Sequence, residues 1–105
     1  MECRIIITTY SDKLNAEKIA RDSIEANLAA CINIIKVRSI YTWKGKIEEM
    51  DEFLTLFKTT EKGVNRLKDF IRKNHTYEVP EIIEITPQYI DPKYLLWLTK
   101  NVSAR

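Results

Sequence analysis

The sequence predicts an α+β subunit of the ferredoxin-like type, a βαββαβ sandwich with a long hairpin between its second and third strands and an extra C-terminal helix. Three observations predict it. Short β-branched runs alternate with amphipathic stretches in the order strand, helix, strand, strand, helix, strand, helix. The pair Lys44 and Gly45 sits between two unusually long strand-like segments. Asp91 followed by Pro92 marks a helix start beyond the last strand.

Residues 4–9 carry Ile5, Ile6 and Ile7 in one short run, the pattern of a central strand buried on both faces. Ala16, Ile19, Ala20, Ile24 and Leu28 recur at spacings of three and four, which predicts an amphipathic helix to about Asn27, capped by Asn15 or Asp12. Over 31–43, Ile32 and Ile34 give way to Ile35, Val37, Ser39, Tyr41 and Trp43 in the opposite phase, and a bulge near Ile34 is expected to reconcile them. Gly45 supplies the positive φ that a two-residue turn needs. The return strand over 46–59 puts Leu54 and Leu56 on one face and Phe53 and Phe57 on the other, with Arg38 opposite Asp51 and Tyr41 opposite Glu48. Thr59 or Thr60 is expected to cap a second helix with Val64, Leu67, Phe70 and Ile71 as its buried stripe. Pro80 opens and Pro87 closes a short strand through Ile82, Ile83 and Ile85. Asp91 then caps a helix whose first position is Pro92, leading into Tyr94, Leu95, Trp97 and Leu98.

Each hairpin arm has about 13 residues, roughly 40 Å of extended chain, against about 5 to 6 in a typical strand. Helices of the predicted length cannot cover it. A tip bearing Tyr41 and Trp43 exposes apolar area and open edges, so the arm is expected to pack on a neighbouring copy of the chain.

At 105 residues, residues 1–105 are expected to form one domain. Hydrophobic residues at 45% and charged residues at 30% give a globular mixture without an apolar run of membrane-spanning length, so no membrane partner is expected. A formal charge of +2 is too weak to point to nucleic acid. Met1, Glu2, Cys3 and Arg4 run straight into isoleucines with no basic leader, and a cytoplasmic location is the expectation. Cys3 and Cys31 have neither metal-site nor redox-motif spacing and read as packing thiols.

Several chemistries common to this topology lack their residues. An RNA-recognition domain needs a basic, aromatic third strand. Here that strand opens with Glu48, Glu49, Asp51 and Glu52. A copper chaperone needs cysteines after the first strand, and an acylphosphatase needs an arginine and a glycine-rich cradle there. Residues 8–12 read Thr, Thr, Tyr, Ser, Asp. His75 is the one histidine, and nothing in the sequence pairs it with a nucleophile, so no enzyme and no catalytic residue is expected. His75 is the candidate metal ligand. One imidazole cannot fill a coordination shell, so Glu48, Glu52, Glu78 or another subunit must complete it. Glu52 and Lys58 share one face of their strand and are candidates for a polar cleft between subunits.

Three stretches, NLAACINI at 27–34, SIYTWKGKIEE at 39–49 and HTYEVPEII at 75–83, together with YLLWL at 94–98, resemble the CutA family of divalent-cation tolerance proteins. The resemblance implies a homotrimer of ferredoxin-like subunits, similar in architecture to PII-type signalling trimers, with long hairpins packed about a threefold axis. It implies a response to divalent metal ions and binding of Cu(II) or another divalent cation. Some bacterial relatives carry a cysteine near the end of the first strand and two adjacent histidines before a Pro-Tyr pair. This chain has Thr8 at the first place and Asn74, His75, Thr76 and Tyr77 at the second, so of that set His75 is kept. The family's intersubunit cleft corresponds here to Cys31, Tyr41, Trp43, Glu52, Lys58, His75 and Tyr77. That mixture of thiol, aromatics, carboxylate and ammonium also suits a PII-like pocket for a small anion or metabolite.

Overall fold

Alternation along the first strand decides which side of the sheet is the core. In the computed structural model, which describes residues 2–103, β1 is Cys3–Tyr10, α1 Lys13–Glu25, β2 Cys31–Trp43, β3 Lys46–Thr60, α2 Val64–Asn74, β4 Ile83–Ile85 and α3 Pro92–Lys100. The strands form one antiparallel sheet in the order β2-β3-β1-β4. Ile6 and Tyr10 of β1 and Phe57 of β3, which stands opposite Ile6, are fully buried under α1 and α2. Ala16 and Ile19 of α1 and Val64, Leu67 and Ile71 of α2 close that core. The predicted stripe of α2 is therefore the observed one.

The ladder between β2 and β3 runs without interruption from Cys31 opposite Lys58 to Trp43 opposite Lys46. The expected bulge near Ile34 does not exist. The phase change in β2 is a change of face: Ile32 and Ile34 pack on the helical core, while Ile35, Val37, Ser39, Tyr41 and Trp43 point to the opposite side. Lys44 and Gly45 make the turn, with φ 51 and 79, the left-handed pair that a two-residue hairpin requires.

Three smaller expectations change. Ile24 is 41% exposed, and Ser23 takes the buried place on α1, its hydroxyl donating to the Ala20 carbonyl at 2.8 Å. Asp12 rather than Asn15 caps that helix, accepting from the Leu14 N–H. The cap of α2 is Gly63; the Thr60 hydroxyl accepts the Gly63 N–H at 3.1 Å, and Thr59 donates instead to the Leu28 carbonyl. β4 is shorter than predicted, since it pairs with Ile5, Ile6 and Ile7 alone. Asp91 caps α3 as expected, accepting the Lys93 N–H at 3.1 Å beside Pro92.

The far face of the sheet carries Ile5 and Ile7 of β1, Leu54 and Leu56 of β3, and Ile83 and Ile85 of β4. Tyr94 of α3 meets Cys3, Ile5 and Lys58 at one end of it. Much of the remainder is open: Ile35 and Ile83 are each 47% exposed. Beyond Tyr10 opposite Phe53, β3 has only β2 beside it, so residues 37–43 and 46–52 leave the sheet as a two-stranded ribbon about 23 Å long.

Candidate functional site

Glu52 stands on the open face where the ribbon leaves the sheet, opposite Val37 and one residue before Phe53 meets Tyr10. It is only 6% exposed. The chain that buries it comes from the end of α2. His75 leaves that helix in extended conformation and lays its ring on Tyr10, with centroids 4.5 Å apart and planes 11° from parallel. Nδ1 of His75 accepts the Tyr77 N–H at 3.1 Å, and Nε2 lies 2.7 Å from the Thr9 carbonyl oxygen. An amide N–H only donates and a carbonyl only accepts, so the proton sits on Nε2. Burial lowers the pKa of His75, against smaller upward pulls from the Thr9 carbonyl and from Glu52.

The short step from His75 to Tyr77 brings the two rings to 4.7 Å and carries the Tyr77 hydroxyl to Glu52, where it donates to Oε2 at 2.6 Å. Burial, and then the bond to that carboxylate, push the Tyr77 pKa up, so the phenol stays a donor. Next to this pair opens a cavity of about 630 Å³ with Tyr41, Trp43, Met50, Glu52, Tyr77 and Glu81 in its wall. The Tyr41 hydroxyl is turned to the Met50 sulfur at 3.2 Å. Glu52 and Glu81 are the charged side chains of the wall among the described residues, none of whose lysines or arginines lines it.

Tyr41, Trp43, Glu52 and Tyr77 therefore line one cavity of the subunit, with the His75 ring beside Tyr77. Cys31 and Lys58 do not join them. These two stand opposite each other at the other end of the ladder, about 20 Å along β3 from Glu52. There the Lys58 ammonium donates to Asn33 Oδ1. Burial, with the neighbouring Cys31 thiol, pushes Tyr94 up. A second, smaller cavity of about 160 Å³ lies between Cys3, Lys58, Tyr89 and Tyr94. Within one subunit the seven residues of the expected intersubunit cleft thus fall into two groups.

His75 has no free ring nitrogen in this arrangement; to hold a metal, Nδ1 must give up the Tyr77 amide. Among the described residues no three His, Cys, Asp or Glu side chains stand close enough to hold a metal ion together. Glu48 and Glu78 do not complete such a set within one subunit. Sequence reasoning missed Thr9, Ser39, Met50 and Glu81 as wall residues. Met50 and Ser39 follow from alternation, two positions from Glu52 and Tyr41 on the same face. Glu81 sits in the irregular 75–82 segment, where no periodicity signals it.

The family model described as CutA1 divalent ion tolerance protein matches residues 4–101. Protein CutA of Mus musculus is 44% identical over 101 residues, 92% of this chain and 56% of that protein. The divalent-cation tolerance protein CutA of Pyrococcus horikoshii is 39% identical over 97 residues, 92% of this chain and 95% of that protein. The chain thus spans little more than half the length of its mouse and human relatives and nearly the whole of the archaeal one. CutA from Synechococcus elongatus superposes with a TM-score of 0.94 at 33% identity, covering 97% of this chain and 91% of that one. CutA1 from Pyrococcus horikoshii superposes with a TM-score of 0.91 at 36% identity, covering 95% and 98%. A matched model over nearly all of the described residues, and the same fold in solved relatives, make this chain a member of the CutA1 divalent ion tolerance protein family.

Proposed function

We propose that the chain is a cytoplasmic, non-enzymatic homotrimer that takes divalent cations, copper foremost, in the cleft around Glu52. The observation that carries this reading is a carboxylate only 6% exposed in a cavity wall to which no described lysine or arginine contributes. A charge buried that far needs a counter-ion, because the hydroxyl of Tyr77 offers one hydrogen bond and no positive charge. The relatives' name, divalent-cation tolerance protein, supports a divalent cation as the ligand class. A divalent ion needs four or more ligands. One subunit does not provide them, so a second copy packed on the open face completes the shell. His75 contributes through Nδ1 once the Tyr77 amide turns away.

Calorimetric titration with Cu(II) tests this on the parent, Glu52→Gln and His75→Ala. Glu52→Gln keeps the shape, removes the charge and is expected to weaken binding about tenfold or more. If His75→Ala binds copper as tightly as the parent, the histidine is not a ligand. Parent-like affinity in both variants places the metal elsewhere.

A second reading is favoured by Lys58, whose ammonium has the neutral Asn33 amide as partner beside the smaller cavity. An unneutralised ammonium there suits a small anion or metabolite, as in PII-like signalling trimers. A thermal-shift screen of metabolite anions against metals separates the two, since a ligand of the native state raises its melting temperature. Loss of an anion's shift in Lys58→Met supports this second site.

A further inference from the structure

We propose that the Glu52 cavity also binds small organic ammonium ions, with methylated ammonium groups as the best fit. The inference rests on the reading of that cavity as a cation site and extends it to a second class of ligand. A metal ion asks for four or more ligating atoms at about 2 Å, and the described residues of one subunit do not assemble them. An ammonium with an apolar body asks for something else: a single carboxylate and aromatic faces set around it. Both are present. Glu52 is buried to 6% exposure with no ion-pair partner among the described residues, and Tyr41, Trp43 and Tyr77 stand in the same wall. Tyr77 fixes one carboxylate oxygen by its 2.6 Å bond, and no hydrogen bond from the described residues engages the other.

Trp43 already receives an ammonium in this structure. The Lys44 Nζ lies 5.7 Å from the centroid of its ring, inside the range in which the ring quadrupole attracts a cation. Met50 adds a polarisable thioether to the wall. Glu81 adds a second negative charge and no described lysine or arginine lines the wall, while a cation at the Trp43 ring competes with the Lys44 ammonium. Within one subunit the volume of about 630 Å³ lies in the range of small-molecule sites. Size, charge and wall chemistry therefore agree on an organic cation.

The test uses choline and its uncharged isostere 3,3-dimethyl-1-butanol on the full chain carrying Trp97→Phe, so that the remaining indole, Trp43, reports binding by fluorescence. Saturable quenching by choline is expected, with the isostere about tenfold weaker or more. Trp43→Leu, at a position 38% exposed and outside the core, is expected to lose choline binding by calorimetry. Glu52→Gln should weaken both ligands. Equal binding of choline and the isostere overturns the proposal, because the cavity is then merely apolar. Absence of saturable choline binding overturns it too. Cu(II) titrated in parallel then shows whether the underlying cation site stands, since intact copper binding sinks only the ammonium, whereas copper binding indifferent to Glu52→Gln sinks the cation site itself.

Discussion

His75 is engaged at both ring nitrogens and stacked on a buried tyrosine, so its protonation state decides whether Tyr77 is held. Protonating Nδ1 removes the acceptor for the Tyr77 N–H and charges a ring lying on Tyr10. Burial places the folded pKa below the ordinary 6.5. The unfolded chain therefore binds the proton first as pH falls. His75 contributes stability that is complete above about 6.5 and is lost as pH drops from there through the lowered folded value. Urea unfolding of the parent and of His75→Phe at pH 7.5 and 5 reads this out: the gap between the two proteins should shrink at the lower pH, and a gap that widens contradicts the lowered pKa of His75. Tyr10 itself offers a second residue-scale check. Its ring is fully buried and its hydroxyl has no partner among the described residues. An unpaired buried hydroxyl costs about 1 to 3 kcal/mol. Tyr10→Phe keeps the stack on His75 and is expected to leave stability unchanged or raise it by up to about 1 kcal/mol. A loss larger than that in denaturant midpoint would show that the hydroxyl has a partner after all.

The hairpin is the element on which the site depends, because β2 and β3 deliver Tyr41, Trp43, Met50 and Glu52 to one face only while their register holds. An unbroken ladder from Cys31 to Trp43 leaves the turn as the point that sets it. Gly45 lies at φ 79 with no atom within 4 Å of an added Cβ. Substitution there acts through the backbone alone. Gly45→Ala is expected to cost about 1 to 2 kcal/mol, and Gly45→Asn less, since asparagine tolerates that conformation. Equal stability of the three proteins in chemical denaturation would mean that the turn does not set the register. Much of this element was legible in the sequence. The Lys44 and Gly45 pair, the placement of Arg38 opposite Asp51 and the split of Leu54 and Leu56 from Phe53 and Phe57 all followed from period-two alternation. The phase change at Ile34 did not, because a strand that packs one face on its own helices and offers the other outward looks, residue by residue, like a strand with an insertion. Alternation also put Glu52 and Lys58 on one face, and six residues at the rise of a strand already set them about 20 Å apart, at the middle and the end of the ladder. The burial of Glu52 depends on Tyr77 reaching back from beyond α2, a contact across 25 positions that no local pattern encodes.

At the scale of the molecule the shape itself is unusual for its length. The radius of gyration is 14.3 Å and the long axis 44 Å, where a compact chain of this length comes to about 13 Å. The excess is the ribbon, and with it goes an apolar surface that the chain leaves open. Ile35, Ile83 and Ile85 stand on the uncovered side of the sheet, and β2 and β4 each present an unpaired edge. Contiguous apolar area beside free strand edges associates in water. If three copies bury that side, a charge placed on it must disperse them, whereas a charge on the outer side of α1 must not. Ile35→Glu is expected to drop the light-scattering mass from three chains toward one at micromolar concentration, and to weaken Cu(II) binding with it, since the shell around Glu52 then lacks its second subunit. Leu14→Glu, at a position 73% exposed on α1, should keep the parent's mass and its copper titration. A parent that already scatters as a single chain removes the shared cleft from the functional reading, and the organic cation, which needs only walls from one subunit, is the ligand that can survive that result.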